Sequence, residues 1–280
     1  QDFASCGTAT AVSLPCMFSQ LTHHNFDRSK ADNQDNVLDI MQRAGIDVMW
    51  KENDGGDKHV AHKIKKIAVD RTKTDQWCNG TTCYDMALLD NFEQEIDSMK
   101  GNRVVTLHLI GSHGPTYFQR YPKDKAFFQP DCPRADIENC SVEQIVNSYD
   151  NTIRYTDYVL EQAIDKLTTL EDKYNTALVY ISDHGESLGE HGLYLHGMPY
   201  ALAPAEQTHV PMLFWSNDAF HRYTQVASDC IAQQRDKPMS HDNLFDMVLG
   251  LLRIDSDVYR ADRDPLAGCR EANKNSQAAR

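Results

Sequence analysis

The run Ala177-Leu178-Val179-Tyr180-Ile181-Ser182-Asp183-His184-Gly185-Glu186 joins an apolar half to a reactive half. The first half reads as a short buried strand. The second half delivers a carboxylate and an imidazole side by side where that strand ends, the edge on which open α/β sheets carry their chemistry. Adjacent oxygen and nitrogen donors suit a divalent metal such as zinc. The same residues also suit a plain turn, because Asp and Gly favour turns. The rest of the chain has to choose.

Outward from this run, helical and strand patterns alternate. Ser141-Val142-Glu143-Gln144 has the form of a capping box, and Ile145, Tyr149, Ile153, Leu160, Ile164 and Leu167 then fall largely on one helical face. A strand is predicted over 210–215, and Ser240-His241-Asp242 caps a last helix ending at 252. Towards the N-terminus, a helix over 35–44 is stopped by Gly45 and followed by a strand over 46–50. A second helix over 84–100 carries Leu88, Leu89, Phe92, Ile96 and Met99 on one side and precedes a β-branched strand over 104–110. This alternation predicts an α/β fold with a largely parallel sheet covered on both faces. No internal repeat or low-complexity linker interrupts it. The polar tail from Glu271 onward reads as disordered.

The whole chain bounds the answer. Its 280 residues, 41% apolar, suit one large α/β domain over 1–280. A net charge of −13 argues against general nucleic-acid binding, while leaving room for local cations around one anionic substrate. No apolar run approaches the ~20 residues a membrane helix needs. Gln1 opens the chain without an initiator Met or a secretory signal, so the sequence reads as a processed domain or a fragment. The eight cysteines include three pairs close in sequence, Cys6 with Cys16, Cys78 with Cys83 and Cys132 with Cys140, leaving Cys230 with Cys269. Their even number and the polar loops between them suggest disulfides and an oxidising compartment. The competing readings are a zinc cluster or free core thiols, although no C-x-x-C pair is present.

Four stretches are rich in reactive side chains: 5–11, 53–58, 108–115 and 183–197. The last two follow predicted strands, and in a parallel sheet the strand ends open on one edge. His108, His113, Asp183, His184 and His196 can therefore meet although they are far apart in sequence. Spacing alone does not choose between Thr8 and Thr10. Lys58 reads equally as a solvated cation, and His108, inside a predicted strand, as a satisfied core histidine.

The motifs resemble one family. Ser5-Cys6-Gly7-Thr8-Ala9-Thr10-Ala11-Val12-Ser13-Leu14-Pro15-Cys16, Gly111-Ser112-His113-Gly114-Pro115, Tyr149-Asp150-Asn151-Thr152-Ile153-Arg154-Tyr155-Thr156-Asp157, Ser182-Asp183-His184-Gly185-Glu186 and Glu206-Gln207-Thr208-His209-Val210-Pro211 occur in the order found in the periplasmic catalytic domains of lipid A phosphoethanolamine transferases, the family that includes the mobile colistin-resistance enzymes. The resemblance covers essentially the whole chain. It implies the alkaline-phosphatase-like α/β/α sandwich, with Zn2+ as cofactor. It implies Thr10 as nucleophile and zinc ligand, Asp183 and His184 as further zinc ligands, and Lys58, His108, His113 and His196 around the phosphate or a second zinc. The family has another zinc ligand, a Glu on a strand upstream of the nucleophile. The nine residues before Thr10 contain no Glu, so three protein ligands and weak zinc binding are expected of this segment. The family's membrane-spanning part is expected upstream as well. A helix starting at Thr10 would carry Pro15 in its second turn, so it is expected to be short, bent or broken.

The implied activity is transfer of phosphoethanolamine from phosphatidylethanolamine to a lipid A phosphate through a phosphothreonine-type intermediate, conferring polymyxin resistance. The implied setting is a monomeric periplasmic domain of a Gram-negative inner-membrane protein. The alternatives are a zinc phosphodiesterase of the same fold, a transferase with another glycan acceptor, and a non-catalytic metal- or glycolipid-binding module. A sulfatase needs a Cys/Ser-x-Pro-x-Arg stretch, and Cys132-Pro133-Arg134 lacks that spacing.

Overall fold

A computed structural model describes residues 3–270; the tail from Glu271 onward, expected to be disordered, lies outside the described residues. Strand Asp47–Glu52 lies between Lys65–Ala68 and Arg103–His108, and both neighbours run parallel to it. Its side chains alternate between two cores. Val48 and Trp50 join Leu38, Met41, Phe245 and Leu249, whereas Met49 joins Leu89, Phe92, Tyr155 and Val159. A strand with period two thus supplies apolar groups to both faces. Helices Val37–Arg43 and Leu244–Leu251 cover the first face, and Phe92–Ser98 and Val142–Thr169 the second. Trp50 is fully buried, which is worth about 4 kcal/mol of transfer free energy.

Strand Ala177–Ile181 divides its side chains in the same way, Val179 and Ile181 to the first core and Leu178 to the second. Its partner Met212–Ser216 runs antiparallel, a departure from the parallel arrangement expected there. The chain between them forms the reactive loop, a hairpin of Ser187–Leu188 with Tyr194–Leu195, and the four-residue helix Ala205–Thr208. A parallel return needs a long crossover, usually a helix. None is made here, and the chain turns back on itself.

Two helix expectations need correction. The helix over 84–100 is broken into a 3-10 turn, Asp85–Leu89, and helix Phe92–Ser98. Asn91 takes a left-handed φ of 56°, a conformation that Asn tolerates and a helix does not. The Asp90 carbonyl accepts the buried Lys51 ammonium at 2.9 Å, and the Asp90 carboxylate accepts the Trp77 indole at 3.1 Å. Helix Val142–Thr169 starts on the Ser141–Gln144 box as predicted, but its buried stripe is more polar than the apolar pattern suggested. Ile153 faces solvent, whereas Ser148, Asn151 and Thr152 are buried. Ser148 Oγ accepts the Cys132 amide at 2.7 Å, and Asn151 exchanges two hydrogen bonds with the Phe128 backbone. Buried loop backbone must be paired, and this helix face supplies the partners.

All eight cysteines are bridged: Cys6–Cys16, Cys78–Cys83, Cys132–Cys140 and Cys230–Cys269. No helix among the described residues is long and apolar enough to cross a membrane.

Candidate active site

The parallel strands Asp47–Glu52 and Arg103–His108 end on one edge, with Glu52 and His108 as their last residues. Asp183 and His184 follow the end of Ala177–Ile181. Thr10 is the first residue of helix Thr10–Met17, where backbone N–H groups lack intrahelical acceptors. Its Oγ1 lies 3.3 Å from His184 Nε2. The same nitrogen lies 3.6 Å from Asp183 Oδ2. That carboxylate oxygen is buried and has no hydrogen-bond partner. A buried, unpaired carboxylate oxygen is costly unless a donor or a cation meets it.

The imidazoles share one orientation. His184 Nδ1 donates to the Gly185 carbonyl at 2.9 Å and His113 Nδ1 to the Gly114 carbonyl at 2.7 Å. A carbonyl only accepts, so the proton sits on Nδ1 and the neutral ring keeps its lone pair on Nε2. His196 Nδ1 pairs with Glu186 Oε2 at 2.7 Å, and His108 Nδ1 with Glu52 Oε2 at 2.9 Å. The His196 ring lies 4.3 Å from that of His184 and 5.1 Å from that of His113, centre to centre. Fixing one ring nitrogen this way is the usual arrangement behind metal-binding imidazoles.

Two groups bring three ligating atoms within 4.8 Å of one another: His184, Glu186 and His196, and Glu52, Asp54 and His108. In both, the glutamate is already engaged. Glu186 also accepts the buried Tyr117 hydroxyl at 2.7 Å. Glu52 also accepts the Trp50 indole and the amides of Asp54 and Gly55. Both act as orienting carboxylates. Asp54 Oδ2 lies 3.7 Å from His108 Nε2 and 3.8 Å from Lys58 Nζ, so Lys58 joins the cluster through it.

Burial opposes ionisation of Glu52, but the hydrogen bond and charge of His108, together with Trp50, hold its carboxyl down at about 2. Burial also opposes the His108 cation, and Glu52 pushes its pKa up. A carboxyl depressed on folding stabilises above its unfolded value of 4.5, and this is lost as pH falls towards 2. An imidazole raised on folding stabilises below 6.5, and this is lost as pH rises through the folded value. The pair is therefore strongest between those limits. In metal-free protein, Glu52→Gln is expected to cost about 3 kcal/mol near pH 5.5 and clearly less at pH 9, measured by urea unfolding. An equal cost at both values would show that the pair carries no charge-dependent stability.

The helix is short, at eight residues, as expected, and Pro15 lies inside it without breaking it. Proline cannot donate to the carbonyl four residues earlier, which is Ala11 O. Arg28 Nη1 takes that carbonyl at 2.9 Å, and its Nη2 takes the Lys58 carbonyl at 2.8 Å. On the inner side, the Ser13 hydroxyl donates to the Asp183 carbonyl. The buried His241 accepts the Cys6 amide on Nδ1 and donates from Nε2 to the Ser182 carbonyl, both at 2.9 Å. Burial pushes the His241 imidazole down to about 4 and keeps it neutral.

Gly185 lets this loop pack tightly. A Cβ there would collide with the Glu206 carbonyl oxygen and sit 3.2 Å from Gln207 Cα. Gly185→Ala is expected to shift His184 and lower turnover about 100-fold, read as kcat. An unchanged kcat would show that the loop absorbs the methyl group without moving His184.

The geometry thus gathers Thr10, Asp183, His184, His196 and His113 directly, and His108 with Lys58 through Asp54. Sequence reading missed Glu52, Glu186 and His241 as site residues. Glu186 stood inside the opening run, Glu52 two residues past the predicted strand, and His241 within a segment read only as a helix cap.

A family model described as Sulfatase matches residues 1–254. The soluble domain of lipooligosaccharide phosphoethanolamine transferase A from Neisseria meningitidis superposes with a TM-score of 0.93 at 43% identity, over 96% of this chain and 81% of that one. The chain belongs to the sulfatase family, among its phosphoethanolamine transferases. Within that family it is 46% identical over 272 residues to phosphoethanolamine transferase EptA of Escherichia coli (strain K12), over 97% of this chain and 50% of that protein. It is 37% identical over 263 residues to phosphatidylethanolamine transferase Mcr-1 of Escherichia coli, over 91% of this chain and 47% of that protein. The chain spans about half the length of these curated relatives. The fold is the alkaline-phosphatase-like one, shared with a protein of that superfamily from Vibrio parahaemolyticus at a TM-score of 0.58 and 14% identity, over 97% of this chain and 60% of that one.

Proposed function

We propose that residues 1–280 are the periplasmic catalytic domain of a Gram-negative inner-membrane enzyme. It transfers phosphoethanolamine from phosphatidylethanolamine to a phosphate of lipid A, with Thr10 as nucleophile and Zn2+ as cofactor. The observation that carries this reading is the convergence of Thr10 Oγ1 and the orphaned Asp183 Oδ2 on His184 Nε2, at 3.3 and 3.6 Å. Tetrahedral zinc with ligands at 2.0–2.1 Å spaces them roughly 3.4 Å apart, so Thr10, Asp183 and His184 fit as its protein ligands. The names of the relatives support the donor, the transferred group and an acceptor of the lipooligosaccharide class.

Bound zinc would supply positive charge that lowers the pKa of the threonine hydroxyl and draws density from a phosphate oxygen. The side chains do the rest. Thr10 Oγ1, its proton given up to solvent, attacks the phosphorus of the donor phosphodiester, the bond to the diacylglycerol oxygen breaks, and phosphoethanolamine stays on Thr10. The departing alkoxide needs a proton, which His108 or His196 can hold on Nε2, steadied by Glu52 or Glu186. Lys58 and His113 offset charge on the non-bridging oxygens. The product carries an ammonium group over an anionic headgroup, which weakens the pull on polycationic peptides such as polymyxins.

Incubating the zinc-loaded chain with phosphatidylethanolamine tests this. A phosphoethanolamine adduct on the Thr10 peptide by mass spectrometry, with diacylglycerol released in equal amount, is expected. Free phosphoethanolamine without any adduct would identify a hydrolase instead.

A further inference from the structure

The sequence carries 28 basic residues against 41 acidic ones. Several of the cations nevertheless stand without an ion pair among the described residues, Arg71 and Arg120 among them, and both of these are half-buried. Arg71 Nη2 donates to the Asn53 carbonyl. Arg120 donates from Nε to the His113 carbonyl at 3.0 Å and from Nη2 to Thr116 Oγ1 at 2.8 Å. Arg71 follows the edge strand Lys65–Ala68, but its guanidinium rests on the backbone after the central strand Asp47–Glu52, and that of Arg120 rests on the loop after the neighbouring strand Arg103–His108.

Those loops are fastened together. Asp85 is fully buried and accepts the Asn53 side-chain amide at 2.7 Å and the Ile110 and Gly111 amides at 2.9 Å each. Burial opposes the Arg120 cation most, the charge of Arg71 opposes it further, and Asp85 and Asp54 favour it. Two glycines lie beside Arg71 and Lys58. A Cβ at Gly55 would lie 4.0 Å from Arg71 Nη1, and one at Gly56 would lie 4.0 Å from Lys58 Nζ. Two half-buried guanidinium groups that bond to joined loops, beside the glycine backbone of 55–56, are arranged for a further anion.

We propose that Arg71 and Arg120, beside the open Gly55–Gly56 backbone, form a second anion site that binds a phosphate monoester, the group that accepts phosphoethanolamine. This rests on the transferase reading above. A monoester approaches two negative charges near neutral pH, whereas the donor diester carries one. Two guanidinium groups match the former. In the second half of the reaction an oxygen of this monoester attacks the phosphorus held on Thr10. A P–O–P linkage forms, the Thr10 Oγ1–phosphorus bond breaks, and Thr10 regains a proton.

Calorimetric titration with glucosamine 1-phosphate tests the site without turnover. The unaltered chain should bind it, R71Q/R120Q should lose at least tenfold in affinity, and R71K/R120K, which keeps both charges, should fall between them. Unchanged affinity in R71Q/R120Q, or no binding to the unaltered chain, would overturn the proposal. Inorganic phosphate and glycerophosphoethanolamine complete the comparison. Tighter binding of inorganic phosphate than of the sugar phosphate would assign the pair to free phosphate, and an equal arginine-dependent loss for the diester would assign it to the donor. A missing Thr10 adduct with phosphatidylethanolamine would defeat the transferase reading and leave these titrations interpretable.

Discussion

Thr10→Ala is expected to abolish the covalent adduct and lower transfer by about four orders of magnitude or more, because no other hydroxyl meets His184 Nε2 among the described hydrogen bonds. The loss should fall on kcat rather than on KM for the donor, since the proposed role of Thr10 is attack on the reacting phosphorus. Thr10 is partly exposed at the first position of its helix, so thermal stability should change little. Thr10→Ser should keep a measurable fraction of the activity. Adduct formation in Thr10→Ala, located by peptide mapping, would move the nucleophile elsewhere, with Thr8 the first place to look. Thr8 Oγ1 instead donates to the Met198 carbonyl at 2.6 Å, which ties its hydroxyl to a loop.

Asp183→Asn is expected to lower zinc affinity at least 100-fold while preserving the shape of the loop. The substitution replaces an unpartnered buried carboxylate oxygen by a neutral amide. In metal-free protein it should therefore cost little stability and could add some. Zinc should raise the melting temperature of the unaltered chain and barely move that of the variant. Competition with a chromogenic chelator gives the affinities. Equal zinc affinity in both proteins would remove Asp183 from the ligand set. Removing zinc from the unaltered chain should silence adduct formation, and adding it back should restore it.

Much of this site could be read from sequence because its key residues sit next to strand ends. Ala177–Ile181 is apolar enough to announce a strand, and Asp183 and His184 follow at once. The paired cysteines are close in the chain, which limits the plausible bridges. What stayed hidden depends on contacts between distant segments. Glu52 meets His108 only because two parallel strands pair in register over 56 residues of separation. Arg71 and Arg120 look like ordinary surface cations until their guanidinium groups are seen to bond the Asn53 and His113 carbonyls, on two loops that Asp85 joins. Helix Val142–Thr169 misled in another way. Its polar stripe is buried because a loop's backbone needed partners, and hydrophobic periodicity carries no sign of that. Ser240-His241-Asp242 served as a cap, as its composition suggested, but nothing in it marked His241 as the partner of Cys6 and Ser182.

The guanidinium of Arg28 has one hand on Ala11 and the other on Lys58. The proline that frees the first of these carbonyls is thus less a flaw in the helix than a docking port for a cross-brace. The backbone beside Thr10 and the backbone that carries Lys58 are thereby yoked through one side chain.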